Sequence, residues 1–84
     1  MKKFLIDLQN MFINSEFYER IRYLRKYRNL TIRQAADKCI ITEKCWSDWE
    51  RGKVIPRPKN KKRIAEVLGV SVETIFGELK ACAL

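Results

Sequence analysis

Thr31-Ile32-Arg33-Gln34-Ala35-Ala36-Asp37-Lys38-Cys39-Ile40-Ile41-Thr42-Glu43-Lys44-Cys45-Trp46-Ser47-Asp48-Trp49-Glu50-Arg51-Gly52 is the stretch that decides the fold. Thr31-Ile32-Arg33-Gln34 fits a capping box, in which the N-cap hydroxyl and the N3 Gln satisfy each other's backbone amides. A short helix from about Ile32 to Lys38 follows. Thr42 is a second N-cap, and the spacing predicts a second helix from Glu43 to Arg51, stopped by Gly52. The two segments are separated by a three-residue turn, Cys39-Ile40-Ile41.

Two short helices around such a turn outline a helix-turn-helix. In the second helix Ile41, Cys45, Trp46 and Trp49 group on one side, a core-facing arrangement. Lys44, Ser47, Asp48 and Arg51 fall at i, i+3, i+4 and i+7 and form a polar stripe on the other. Any amphipathic helix has a solvated stripe. A helix rooted by aromatic residues and striped in this way also fits a major groove about 12 Å wide.

Working outward, every periodic stretch reads as helix. Phe4, Leu5, Leu8, Met11 and Phe12 have helical spacing. Asn14-Ser15 offers an N-cap for a segment from Glu16 to about Tyr27, with Phe17, Ile21 and Leu24 inward and Asn29 as a left-handed stop. After Gly52 comes a loop, Lys53-Val54-Ile55-Pro56-Arg57, and Pro58 suits the first turn of the next helix. Ile64, Ala65 and Leu68 form its inner face and Gly69 ends it. Ser71 caps a last helix with Val72, Ile75, Phe76 and Leu79 inward. The expected fold is all-α: an extra N-terminal helical segment over 1–16, a domain over 17–79 and a short tail over 80–84.

Composition narrows the chemistry. The chain has 84 residues, 46% apolar and 33% charged, enough for one modest core. Its net charge is +8, and the distribution is uneven. Residues 20–63 hold fifteen Lys or Arg against Asp37, Glu43, Asp48 and Glu50, while both ends are slightly acidic. A basic middle of this kind points to a polyanion. With no His there is no Ser-His or Cys-His pair and no His-containing zinc site. Cys39, Cys45 and Cys82 contain no C-x-x-C pair, which fits free thiols in a reducing compartment. There is no glycine-rich phosphate loop and no run of membrane-spanning length. Met1-Lys2-Lys3-Phe4-Leu5-Ile6 imitates a signal peptide only until Asp7, Gln9 and Asn10 interrupt it. A cytoplasmic protein without enzymatic activity, metal or cofactor is expected.

Residues 18–76 resemble the lambda-repressor-like (Cro/Xre-type) helix-turn-helix regulators of bacteria and phages. The resemblance is carried by Glu19-Arg20-Ile21, Leu24-Arg25, Leu30-Thr31, Ala35-Ala36 and Ile41-Thr42. It continues through Trp49-Glu50-Arg51-Gly52-Lys53, Pro56, Ile64-Ala65 and Leu68-Gly69-Val70-Ser71. It implies a five-helix domain whose second motif helix reads base edges through Glu43, Lys44, Ser47 and Asp48. It assigns DNA-backbone contacts to Thr31, Arg33, Gln34, Thr42, Arg51, Lys53, Arg57, Lys59, Lys61 and Lys62, and a structural ion pair to Arg25 and Glu50. Three positions depart from the family. Ile40 stands where Gly is usual, so the turn is expected to manage without glycine's positive-φ freedom. Ile32 replaces a usual Gln, and Trp46 a smaller aliphatic residue.

The implied function is a sequence-specific regulator, a repressor or controller binding a double-stranded DNA operator as a homodimer. An antitoxin bound to a toxin, or a protein-interaction module on the same fold, is the alternative. The acids Glu43 and Asp48 keep the interaction reading open. A carboxylate in the major groove has one good partner, the N4 amino group of cytosine. The stripe Phe4, Leu8, Met11 and Phe12 fits either core padding or a dimer contact, and Cys82 sits in the tail.

Overall fold

The structure, a computed structural model, describes residue 12 and residues 15–77. The expectations for Phe4, Leu8, Met11, Leu79 and Cys82 lie outside the described residues. Those described form five helices and no strand: α1 (Phe17–Tyr27), α2 (Ile32–Cys39), α3 (Glu43–Glu50), α4 (Pro58–Leu68) and α5 (Val72–Phe76). The all-α reading therefore stands.

Apolar periodicity places the core. Ile21 and Leu24 of α1, Ala35, Ala36 and Cys39 of α2, and Trp46 and Trp49 of α3 are buried with Ile64, Ala65, Leu68 and Ile75. The two indole rings lie 5.8 Å apart and tilted, so α3 is rooted by its two largest side chains. Phe17 stacks on Phe76 at 5.6 Å, joining the start of α1 to α5. Phe12 is buried and meets Tyr23 edge-on at 5.6 Å. This one described member of the N-terminal stripe belongs to the core.

The helix starts follow the local rules. Thr31 and Gln34 form the expected capping box, with Thr31 Oγ1 accepting from Gln34 N–H at 3.1 Å and Gln34 Oε1 from Thr31 N–H at 2.9 Å. Thr42 Oγ1 caps α3 by accepting from Cys45 N–H at 3.1 Å. Ser71 Oγ accepts from Thr74 N–H at 3.2 Å, and Pro58 opens α4. One start differs: the N-cap of α1 is Glu16, not Asn14-Ser15, and Glu19 accepts from the Glu16 N–H at 3.0 Å. Ser15 is engaged elsewhere, accepting from Arg20 Nε at 3.1 Å.

Four helix ends share one geometry. A residue with φ between 57° and 72° closes each of α1 to α4: Asn29, Ile40, Gly52 and Gly69. In each, the left-handed residue donates its N–H three residues back and the next residue donates five back, as in Ile40 to Asp37 and Ile41 to Ala36. This is the Schellman closure, which satisfies carbonyls that the helix end leaves open. At Gly52 a Cβ would also come within 2.7 Å of the Tyr18 ring.

Ile40 corrects the expectation that the turn avoids positive φ. It adopts φ 59°, ψ 49° despite its branched Cβ. The left-handed state costs an L-residue about 1–2 kcal/mol. The two closing hydrogen bonds, and Ile41 packed against the core, outweigh that cost. Ile40 itself is 77% exposed and contributes little burial. Ile40→Gly should therefore stabilise the domain by roughly 0.5–1 kcal/mol, after allowing for the greater backbone entropy glycine loses on folding. Thermal melts check this: at about 4–8 °C per kcal/mol, an unchanged or lower Tm would contradict the strain.

Candidate nucleic-acid interface

The surface of α3 carries the chemistry. Burial of Trp46 and Trp49 fixes the rotation of the helix and leaves Glu43 and Lys44 exposed, with Ser47 and Asp48 half-buried beside them. Arg51, the C-cap residue, is exposed at the far end of the stripe. Both acids have a cation near them. Glu43 lies 3.8 Å from Arg33 Nε on α2, and Asp48 lies 3.8 Å from Arg51 Nη2. The first pair is widely exposed and stabilises little, but each neutralises a carboxylate that would otherwise repel phosphates.

The residues assigned to backbone contacts fall into two groups. Thr31, Arg33, Gln34 and Thr42 surround the starts of α2 and α3, where backbone N–H groups and the helix dipole favour an anion. The capping box engages the Gln34 amide oxygen and leaves its NH2 available to donate. Lys53, Arg57, Lys59 and Lys62 are exposed along the loop after α3 and the start of α4. Lys61 is drawn onto α5, its ammonium 5.0 Å from the centre of the Phe76 ring. Arg63, from the same run, reaches the other way and donates through Nη1 to the Cys39 carbonyl at 3.4 Å.

Arg25 and Glu50 lock α1 to the end of α3. Arg25 Nε meets Glu50 Oε2 at 2.5 Å, and Nη2 meets Oε1 at 3.2 Å. Arg25 Nη1 also donates to the Leu30 carbonyl at 2.8 Å, and the Trp46 indole N–H donates to Glu50. Helix α3 is thus held by the ring nitrogen of Trp46 as well as by its ring surface.

Two cations away from α3, which periodicity did not single out, hold the fold together. Arg20 is buried, and its guanidinium donates to the Thr74, Ile75, Gly77, Phe12 and Ser15 carbonyls. Burial pushes its pKa down, with Glu16 and Glu19 opposing the shift. Arg28 Nε donates to the Leu68 carbonyl at 3.0 Å, closing the end of α4. A signal for Arg20 was present: it falls in the inward phase with Phe17, Ile21 and Leu24.

Nothing else among the described residues supplies chemistry. Burial pushes the Cys39 thiol up to about 11, and the Cys45 thiol upward too, so neither offers a thiolate near neutral pH. Among the described residues no cluster of acids and cysteines could hold a metal, and no helix is long and apolar enough to cross a membrane.

A helix-turn-helix with a basic surface around a polar second helix is the class this geometry defines. Comparison with known proteins agrees. Residues 16–75 match the family described as "Helix-turn-helix domain", and the chain belongs to that family. The matched span coincides with the stretch that resembles the lambda-repressor-like regulators. A relative in Enterococcus faecalis, the HTH-type transcriptional activator BcrR, is 32% identical over 61 residues. That alignment covers 73% of this chain and 30% of the relative, so the chain spans about a third of that protein's length. No solved structure is significantly similar to this chain.

Proposed function

We propose that the chain reads double-stranded DNA in a sequence-specific way and regulates transcription, with α3 in the major groove. The observation that carries this is the stripe of Lys44, Ser47, Asp48 and Arg51 on a helix whose opposite side is anchored by two buried tryptophans. Lys44 donates to guanine edges, Ser47 and Asp48 sample neighbouring bases, and the surrounding cations hold the backbone. Two copies on half-sites one helical turn apart would supply the affinity one short helix lacks. Occupying an operator that overlaps a promoter would make the protein a repressor or controller. The relative's name records activation, which the same mode of docking serves from a different operator position.

Selection of bound sequences from random duplex DNA tests the reading. About five phosphate contacts per monomer would give log K against log[salt] a slope near −4 to −5. Lys62→Ala should weaken binding equally on all sequences and flatten that slope by about 1. Lys44→Ala should relax preference at one base pair, by about 1–3 kcal/mol. A salt-independent response, or no enriched sequence, would overturn the proposal.

A further inference from the structure

Beside the reading stripe, between α1 and α3, lies a concavity of about 330 Å³. Its walls carry Arg22 and Lys26 from α1, Ile32 from α2, Ser47 from α3 and the C-cap residue Arg51, together with the Arg25–Glu50 pair. Arg25 and Glu50 neutralise each other, and no second carboxylate lines the space. Two cations there have no acidic partner, Arg22 and Lys26, and a third, Arg51, is shared with Asp48 at 3.8 Å. Arg22 and Lys26 are exposed, and neither has an ion pair or hydrogen bond to another described side chain. Four residues apart on one helix face, they repel each other, and an anion between them relieves that repulsion.

The position of the concavity selects the anion. Ser47 and Arg51 belong both to the reading stripe and to this wall. A helix lying in the major groove has a phosphate backbone along each flank, so a wall contiguous with the stripe meets one strand's phosphates. We infer that the concavity seats one backbone phosphate of the bound duplex, with Arg22 and Lys26 donating to it alongside Arg51. Helix α1 then grips the DNA directly and is not merely a support for the two motif helices. The inference rests on the DNA reading above.

The test uses the full chain and its selected operator. Arg22→Gln/Lys26→Gln replaces two exposed side chains, and circular dichroism checks that the fold is unchanged. The variant should lose one phosphate contact, flattening the salt slope by about 0.9. Its affinity would then fall about 3.5-fold less than the wild type's between 50 and 200 mM salt. Base preference should not change. Independently, duplexes carrying a single neutral methylphosphonate at successive positions should show one phosphate whose neutralisation weakens the wild type much more than the variant, which keeps only Arg51 there. If the wild type binds but the variant keeps the same slope and the same sensitive phosphates, the inference is overturned while the DNA reading stands. If the wild type binds no duplex, both fall together.

Discussion

Arg20→Met should destabilise the domain by about 4 kcal/mol and lower its Tm by roughly 20 °C. Arg20 is 6% exposed, and its guanidinium has no carboxylate among its direct partners. It is held by neutral oxygens. Nη1 donates to Gly77 O at 2.7 Å, Ile75 O at 3.0 Å and Thr74 O at 3.4 Å. Nη2 donates to Ser15 O at 2.9 Å and Phe12 O at 3.2 Å, and Nε to Ser15 Oγ. One planar fork therefore ties the segment before α1 to the end of α5. Carbonyls at a helix C-terminus are left open by the helix itself and carry partial negative charge, which is the environment a cation needs.

Each hydrogen bond to a charged group contributes about 1.5–3 kcal/mol, offset in part by taking the charge out of water. Small domains have about 5 kcal/mol or slightly more in total. Methionine fills similar space but leaves those carbonyls without their donor. Arg20→Lys keeps the charge, yet a single ammonium cannot reach both sides of the fork, so it should recover only a minor part of the loss. Urea unfolding of both variants measures this. A Met variant within about 1 kcal/mol of the wild type would refute the clamp.

What the sequence made legible follows from the range of the interactions. The motif helices could be read because caps, stops and the 3.6-residue period act within a few residues: Thr31 with Gln34, Thr42 with Cys45, Pro58, Gly69. Arg20 could be noticed as a charge in an inward phase, but three of its partners are backbone carbonyls 54 to 57 residues away, and carbonyls leave no mark on a sequence. The concavity beside α3 was hidden for a related reason. Arg22 and Lys26 meet Arg51 through the crossing of α1 and α3, which no periodicity reports. Ile40 is a different case: local preference argued against a left-handed residue there, and closure of the turn, with half-buried Ile41 packed on the core, prevailed. The start of α1 is the same lesson on a smaller scale, because the Ser15 hydroxyl serves Arg20 instead of a helix cap.

Separating Arg25 from Glu50 should cost about 3–5 kcal/mol from either side, and the two losses should not add. The side chains are only 11% and 7% exposed, so each charge depends on the other for its solvation. Arg25→Met strands a buried carboxylate with the Trp46 indole as its remaining donor. Glu50→Gln keeps an acceptor for that indole but strands the guanidinium, which retains the Leu30 carbonyl. In the double variant no charge is left unpaired, and a neutral side chain faces a neutral one. It should therefore be more stable than the summed losses imply, by a coupling of about 1–3 kcal/mol. Denaturant midpoints at constant m-value give the four corners of the cycle. The same pair orients α3, because Glu50 is bonded at once to α1 and to the indole that roots α3. At a temperature where every variant is fully folded, the double variant should still select the wild-type DNA sequence, with weaker binding as α3 gains freedom against α1. Additive single losses, with coupling below about 0.5 kcal/mol, would mean that the pair is not joined in solution.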